Sequence, residues 1–136
     1  MKTFLRLTFA IIIAELILIV LITLFQEVLA NGVILGKSSL KDLLIGGLGT
    51  LIAGFLAAIL ASILAKKNKT TAIIILSCLV VIETTYLILT GKINNPIWFD
   101  VLAAILLIGS FWIGLIAYNN YVKKLNYSLP NEKFQP

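Results

Sequence analysis

The chain has 136 residues, of which 60% are hydrophobic and 12% charged, and its formal net charge is +5 with no histidine. Soluble domains are about 45–50% apolar and about 25% charged, so this composition excludes an ordinary soluble fold and places most of the chain in lipid. The lack of histidine removes the commonest metal ligand and the commonest proton shuttle at neutral pH.

A bilayer core of about 30 Å needs about 20 apolar residues per helix. The apolar runs predict an all-α bundle of four membrane spans, at residues 4–29, 41–65, 70–90 and 97–121. Together they make one membrane domain over residues 1–122, and residues 123–136 form a polar tail expected to be disordered. The head of the chain carries Lys2 and Arg6, and Val28-Leu29-Ala30 has the small-residue spacing of a signal-peptidase site. The apolar run exceeds the roughly 7–15 residues of a signal sequence, so an uncleaved first span is expected.

Glu15 interrupts that first span. A carboxylate at the bilayer centre costs about 2.5–3.5 kcal/mol on insertion scales, so it must face the bundle, bind a proton or find a partner. At 100° per residue, Thr8, Glu15 and Gln26 fall within about 20° of one another and predict an inward polar stripe. The stripe reads either as a proton or cation site or as a neutral, hydrogen-bonded link between helices.

Ser39 precedes Asp42 with the spacing of a helix cap, and it opens the second span. Gly47, Gly54, Ala58, Ala61 and Ala65 share one face of that span, with Thr50 beside them. Small residues let a second helix approach closely, and Ser110 and Gly114 of the fourth span offer a matching pair. Gly46-Gly47-Leu48-Gly49 lacks the strand and Lys-Ser/Thr signature of a phosphate loop. The tract Lys66-Lys67-Asn68-Lys69 ends the second span.

Glu83 lies in the third span, within Glu83-Thr84-Thr85-Tyr86, and Tyr86 and Thr90 share its face. Counted from Arg6 and Lys69, and at about 1.5 Å per residue, Glu83 sits roughly 7 Å deeper from the basic end than Glu15. With no Lys or Arg in the spans beyond Arg6 and Lys41 at their ends, one or both acids are expected to be neutral at pH 7. Cys78, also in the third span, is expected in the core. Asn94-Asn95-Pro96 predicts a turn into the fourth span. There Asp100 has a sufficient explanation in the helix dipole, as Asp42 has in the second.

Lys2, Arg6, Lys66, Lys67, Lys69, Lys123, Lys124 and Lys133 lie in the head, the middle loop and the tail, against Lys37, Lys41 and Lys92 in the other loops. This asymmetry predicts a bacterial cytoplasmic membrane protein with both termini inside. Trp98 and Phe99 then mark the outer interface, and Tyr118 and Tyr121 the inner one. Basic residues so placed are topology signals and contacts to lipid headgroups, so no nucleic acid partner is expected.

No Ser-His-Asp, Cys-His, His-Glu or CxxC arrangement occurs, and no catalytic residue, cofactor or metal site is predicted. Glu15 and Glu83 alone supply too few ligands for a dedicated metal site. Ala14-Glu15 in a short four-span chain resembles the small multidrug resistance transporters, which carry a glutamate after an alanine in their first helix. That resemblance implies proton-coupled export through Glu15, but the third-helix Trp-Ser-Gly pattern is missing here. Over residues 40–120, the small-residue second span running into a Lys tract, then Pro96-Ile97-Trp98-Phe99 followed by Gly109 and Gly114, resembles a widespread group of short bacterial four-helix membrane proteins of unknown function. That resemblance implies no activity. Two readings stand at this point. The first is a non-enzymatic accessory or structural protein that acts through helix packing, as a homo-oligomer or with a membrane protein partner. The second is a small proton- or cation-coupled transporter using Glu15 and Glu83, with Tyr86, Gln26 and Thr8 beside them.

Overall fold

The computed structural model describes residues 2–30, 32–91 and 95–128. Lys92 and Asn94 of the predicted turn, and residues 129–136 of the predicted tail, lie outside them. Most of the described residues are helical, and none of them forms a strand. In order they form α1 (Lys2–Thr23), a π-helical turn (Leu24–Leu29), α2 (Leu40–Ala65), a 3-10 turn (Lys66–Asn68), α3 (Lys69–Leu89) and α4 (Ile97–Ser128). Three stretches are long and apolar enough to cross a membrane: Thr3–Leu29, Leu40–Leu89 and Ile97–Leu125.

The second of these stretches holds two helices, because the chain reverses at the Lys tract. Lys66 is the one non-glycine residue with positive φ among the described residues, at +51°. Thr50 of α2 and Glu83 of α3 line the same cavity, whereas a continuous helix would hold them roughly 50 Å apart. The turn is polar and basic, which favours water over lipid at that point.

α2 packs against α1, α3 and α4. Its buried face is small throughout, from Gly46, Gly49 and Thr50 through Gly54 and Ala58 to Ala65. In lipid there is no hydrophobic drive between helices, so close approach and dispersion hold them together. At Gly54 a Cβ would run into the Ser110 side chain. At Gly114 it would lie 2.8 Å from both the Ala58 Cβ and the Phe55 carbonyl oxygen. α1 meets α2 through the buried Ala10, Ala14 and Leu18, and Phe111, Ile73 and Leu76 fill the remaining core. Buried hydroxyls are satisfied locally: Thr50 donates to Gly46 O and Ser62 to Ala58 O, both at 2.8 Å. The outer surface is apolar, with Leu48, Leu56, Ile105, Ile113 and Ile116 exposed.

The N-cap of α2 forms as its sequence predicts. The Asp42 N–H donates to Ser39 Oγ at 3.2 Å, and Ser39 Oγ donates to the Asp42 carboxylate at 2.6 Å. Four expectations change. Gly47 is exposed and a Cβ there would meet nothing, because it borders an open space between α2 and α4 rather than a packed contact. Cys78 is exposed on the outer face of α3, beside Ile74 and Trp112, rather than in the core. The tail starts later than residue 123, since α4 continues to Ser128. The last turn of the first span is π-helical rather than α-helical, and this rotates the residues that follow it.

One end of the bundle gathers the basic residues. Arg6 Nε donates to Leu64 O at 2.6 Å, tying the start of α1 to the C-terminal carbonyls of α2. Lys69 Nζ lies 5.4 Å from the centre of the Tyr118 ring, which brings the late part of α4 to the same end. At the other end Leu35 N donates to Asn95 Oδ1 at 2.8 Å, joining the two loops.

Candidate functional site

The loop end of the bundle opens into a cavity of about 460 Å³. Four carboxyl groups line it: Glu15 from α1, Glu27 from the π turn, Glu83 from α3 and Asp100 from α4. The chain has six acidic residues in all, so most of its negative charge faces one space. No Lys or Arg lines that space among the described residues. The nearest structural reason is the sorting of charge between ends, with Arg6, Lys66 and Lys69 at the opposite side of the core.

Each acid is placed by its helix. Glu15 follows Ala14, whose burial against α2 puts the glutamate at the edge of the packed face. Glu83 sits one turn above the buried Val80 on α3. Asp100 sits in the first turn of α4 and Leu107, also lining the cavity, lies two turns below it. The π turn presents Gln26 and Glu27 together to the cavity, and Gln26 Nε2 donates to Thr50 Oγ1 at 2.8 Å. Phe25 of the same turn lies against Gly49, where any larger residue would collide with its ring.

Two carboxyl oxygens, Glu15 Oε2 and Asp100 Oδ2, are shielded from solvent and have no hydrogen-bond partner. Such atoms are acceptors that demand a donor or a cation. The carboxyl groups are spread along the cavity rather than converging. Among the described residues no three Asp, Glu or Cys side chains come together as a metal-binding group. Leu18, Val80 and Leu107 line the cavity and belong to the buried apolar core, which also holds Ala14, Ala57 and Phe111. It is therefore an acid-lined vestibule that borders the apolar core on one side and carries the exposed Ile19, Glu27, Glu83 and Leu87 on its open sides.

Of the residues singled out in the sequence, Glu15, Glu83 and Gln26 line this vestibule. Thr8 is exposed on α1, outside the cavity: the buried face of that helix centres on Ala10, Ala14 and Leu18, and Thr8 falls beyond its edge. Tyr86 is 56% exposed and turns away from the cavity on α3. Sequence reasoning missed Glu27, Thr50, Asn95 and the role of Asp100. The adjacent polar pair Gln26-Glu27 near the end of an apolar span was the available signal for Glu27. For Asp100 the helix-dipole explanation hid the site. Asp42 shows what that explanation looks like when complete, since its carboxylate is hydrogen-bonded to the cap, while an oxygen of Asp100 is left without a partner.

Comparison of the chain with protein-family models, with curated proteins and with solved structures gave no match.

Proposed function

We propose that this is a four-span protein of the bacterial cytoplasmic membrane, with both termini inside, that takes up a cation in its acid-lined vestibule as a proton- or cation-coupled transporter. The observation that carries the reading is that Glu15, Glu27, Glu83 and Asp100 all line one cavity that no basic side chain lines among the described residues. The basic end supports the orientation through the positive-inside rule. With that end in the cytoplasm, the vestibule faces outward.

Ionisable groups buried in a membrane bundle are costly, and they mark cation paths and proton relays when they face a cavity. A carboxyl group can hold a proton or a counter-cation, but not both at full strength. Exchange at Glu15, the deepest of the acids, couples the two fluxes. Glu83 lies on the facing helix and shares the charge. Passage to the cytoplasm requires the apolar seal around Ala14, Ala57 and Phe111 to part, which is a rearrangement of packed helices.

An accessory role through helix association needs a small-residue face free for a partner. Most of that face on α2 is covered by α1 and α4 of the same chain, which favours the transport reading. The test is proton-coupled uptake of methylamine by proteoliposomes. Wild type is expected to expel a proton as each methylammonium enters, alkalinising the lumen beyond the change in empty vesicles, and Glu15→Gln to lose that coupling. Equal flux in protein-containing and empty vesicles would overturn the proposal.

A further inference from the structure

A second cavity adjoins the vestibule. This apolar cavity of about 200 Å³ lies between α2 and α4, bounded by Gly47, Leu51, Phe99, Leu102 and Leu106. The two spaces meet at Gln26, Val33, Thr50 and Ala103, which line both. On α4 the division falls within one turn: Asp100 faces the vestibule, Leu102 and Leu106 face the slot, and Ala103 faces both. Gly47 is exposed at the slot's margin and a Cβ there would meet no atom within 4 Å. The slot is therefore reached from the side of the bundle, where lipid lies.

We infer that the ligand is an amphipathic primary amine, with its ammonium group among the vestibule carboxyls and its alkyl chain in the slot between α2 and α4. The inference rests on the cation reading above and narrows it. Three observations carry it together. The negative side chains fit a positive charge. The adjoining slot fits hydrocarbon, its polar side chains being Gln26 and Thr50 where it meets the vestibule. The buried Glu15 Oε2 and Asp100 Oδ2 lack donors, and a primary ammonium brings three N–H groups where a quaternary ammonium brings none. A monatomic cation would use the vestibule and leave the slot without a role.

The experiment is equilibrium binding to the full chain in lipid nanodiscs, with empty nanodiscs subtracted, using methylamine, n-hexylamine and hexyltrimethylammonium as probes. Burying each methylene is worth roughly a factor of four in affinity, so hexylamine is expected to bind more than about tenfold tighter than methylamine. Hexyltrimethylammonium is expected to bind more weakly than hexylamine. Gly47→Phe fills the slot from an open position, and it is expected to remove the advantage of hexylamine over methylamine. Gly47→Leu, a smaller filler, is expected to act in the same direction.

A hexylamine advantage that survives both Gly47 variants would overturn the slot assignment. Methylamine binding that is lost in a Glu15→Gln, Asp100→Asn double variant would still uphold the cation reading in that case. Equal affinity for hexylamine and hexyltrimethylammonium would overturn the primary-amine assignment. Absence of saturable binding by any of the three would overturn both readings together.

Discussion

Gln26 donates to Thr50 Oγ1 at 2.8 Å, and both residues line the acidic vestibule and the apolar slot. It joins the π turn after α1 to the middle of α2. Thr50 in turn donates to Gly46 O, so the pair is anchored in the backbone of α2. Interhelical hydrogen bonds inside membranes average roughly 0.6 kcal/mol, because the unfolded chain in lipid also finds partners. Thr50→Val and Gln26→Leu are each expected to destabilise the bundle modestly. A double-mutant cycle, read by steric trapping in bicelles, should return a coupling of roughly 0.5–1 kcal/mol. A coupling of zero would show that the two side chains do not hold each other.

The glycines of the bundle predict opposite responses to the same change. At Gly114 a Cβ would sit 2.8 Å from the Phe55 carbonyl oxygen, which is backbone and cannot turn aside. Gly114→Ala is expected to cost about 1–3 kcal/mol. Gly109 lies five residues earlier on α4 with open space at its Cβ position. Gly109→Ala is expected to be neutral or to stabilise by up to about 1 kcal/mol through helix propensity. Gly54→Leu forces a larger group against Ser110 and Leu107 and should prevent the protein from accumulating in the membrane. Thermal unfolding in mild detergent separates these cases.

Asp100 and Asp42 occupy equivalent places at helix starts, yet they should behave differently. Asp42 is engaged with Ser39, so Asp42→Asn touches only the cap, where removal of a capping group costs about 1 kcal/mol. Its effect on methylamine uptake should stay within about twofold. Asp100 lines the vestibule, and Asp100→Asn is expected to lower uptake about tenfold or more, equivalent to about 1.4 kcal/mol of lost binding. Equal effects of the two variants would place Asp100 outside the site.

The sidedness of the bundle can be checked by labelling. In a Cys78→Ala background, Lys67→Cys at the basic turn should react with a membrane-impermeant maleimide only after the cytoplasmic face is opened. Ser39→Cys at the loop end should react from outside in intact cells. The reverse pattern would turn the vestibule towards the cytoplasm.

Much of the bundle was legible in the sequence, because hydropathy and helix length are local quantities. The expected span at residues 41–65 and the observed helix Leu40–Ala65 differ by one residue. Ser39 and Asp42 announced the cap, Gly54 and Ala58 announced the packed face, and the Lys tract announced the reversal. Glu15 and Glu83 stood out because a carboxyl group in an apolar span is costly wherever the helix points.

Only the tertiary structure decided which of those groups meet. The rotation of each helix about its axis and the place where two helices cross are set by contacts between distant residues, such as Gly54 with Ser110 and Phe25 with Gly49. The crossing point at Gly54 and Gly114 buries Ala58 and leaves Gly47 open. The π turn brings Glu27 alongside Gln26, and helix rotation leaves Thr8 and Tyr86 outside. The sequence by itself determined a membrane chain with carboxyl groups inside its apolar spans and a basic middle turn. Side-chain packing, which no local pattern encodes, determined that Glu27 and Asp100 join Glu15 and Glu83 around one cavity and that an apolar slot opens beside it.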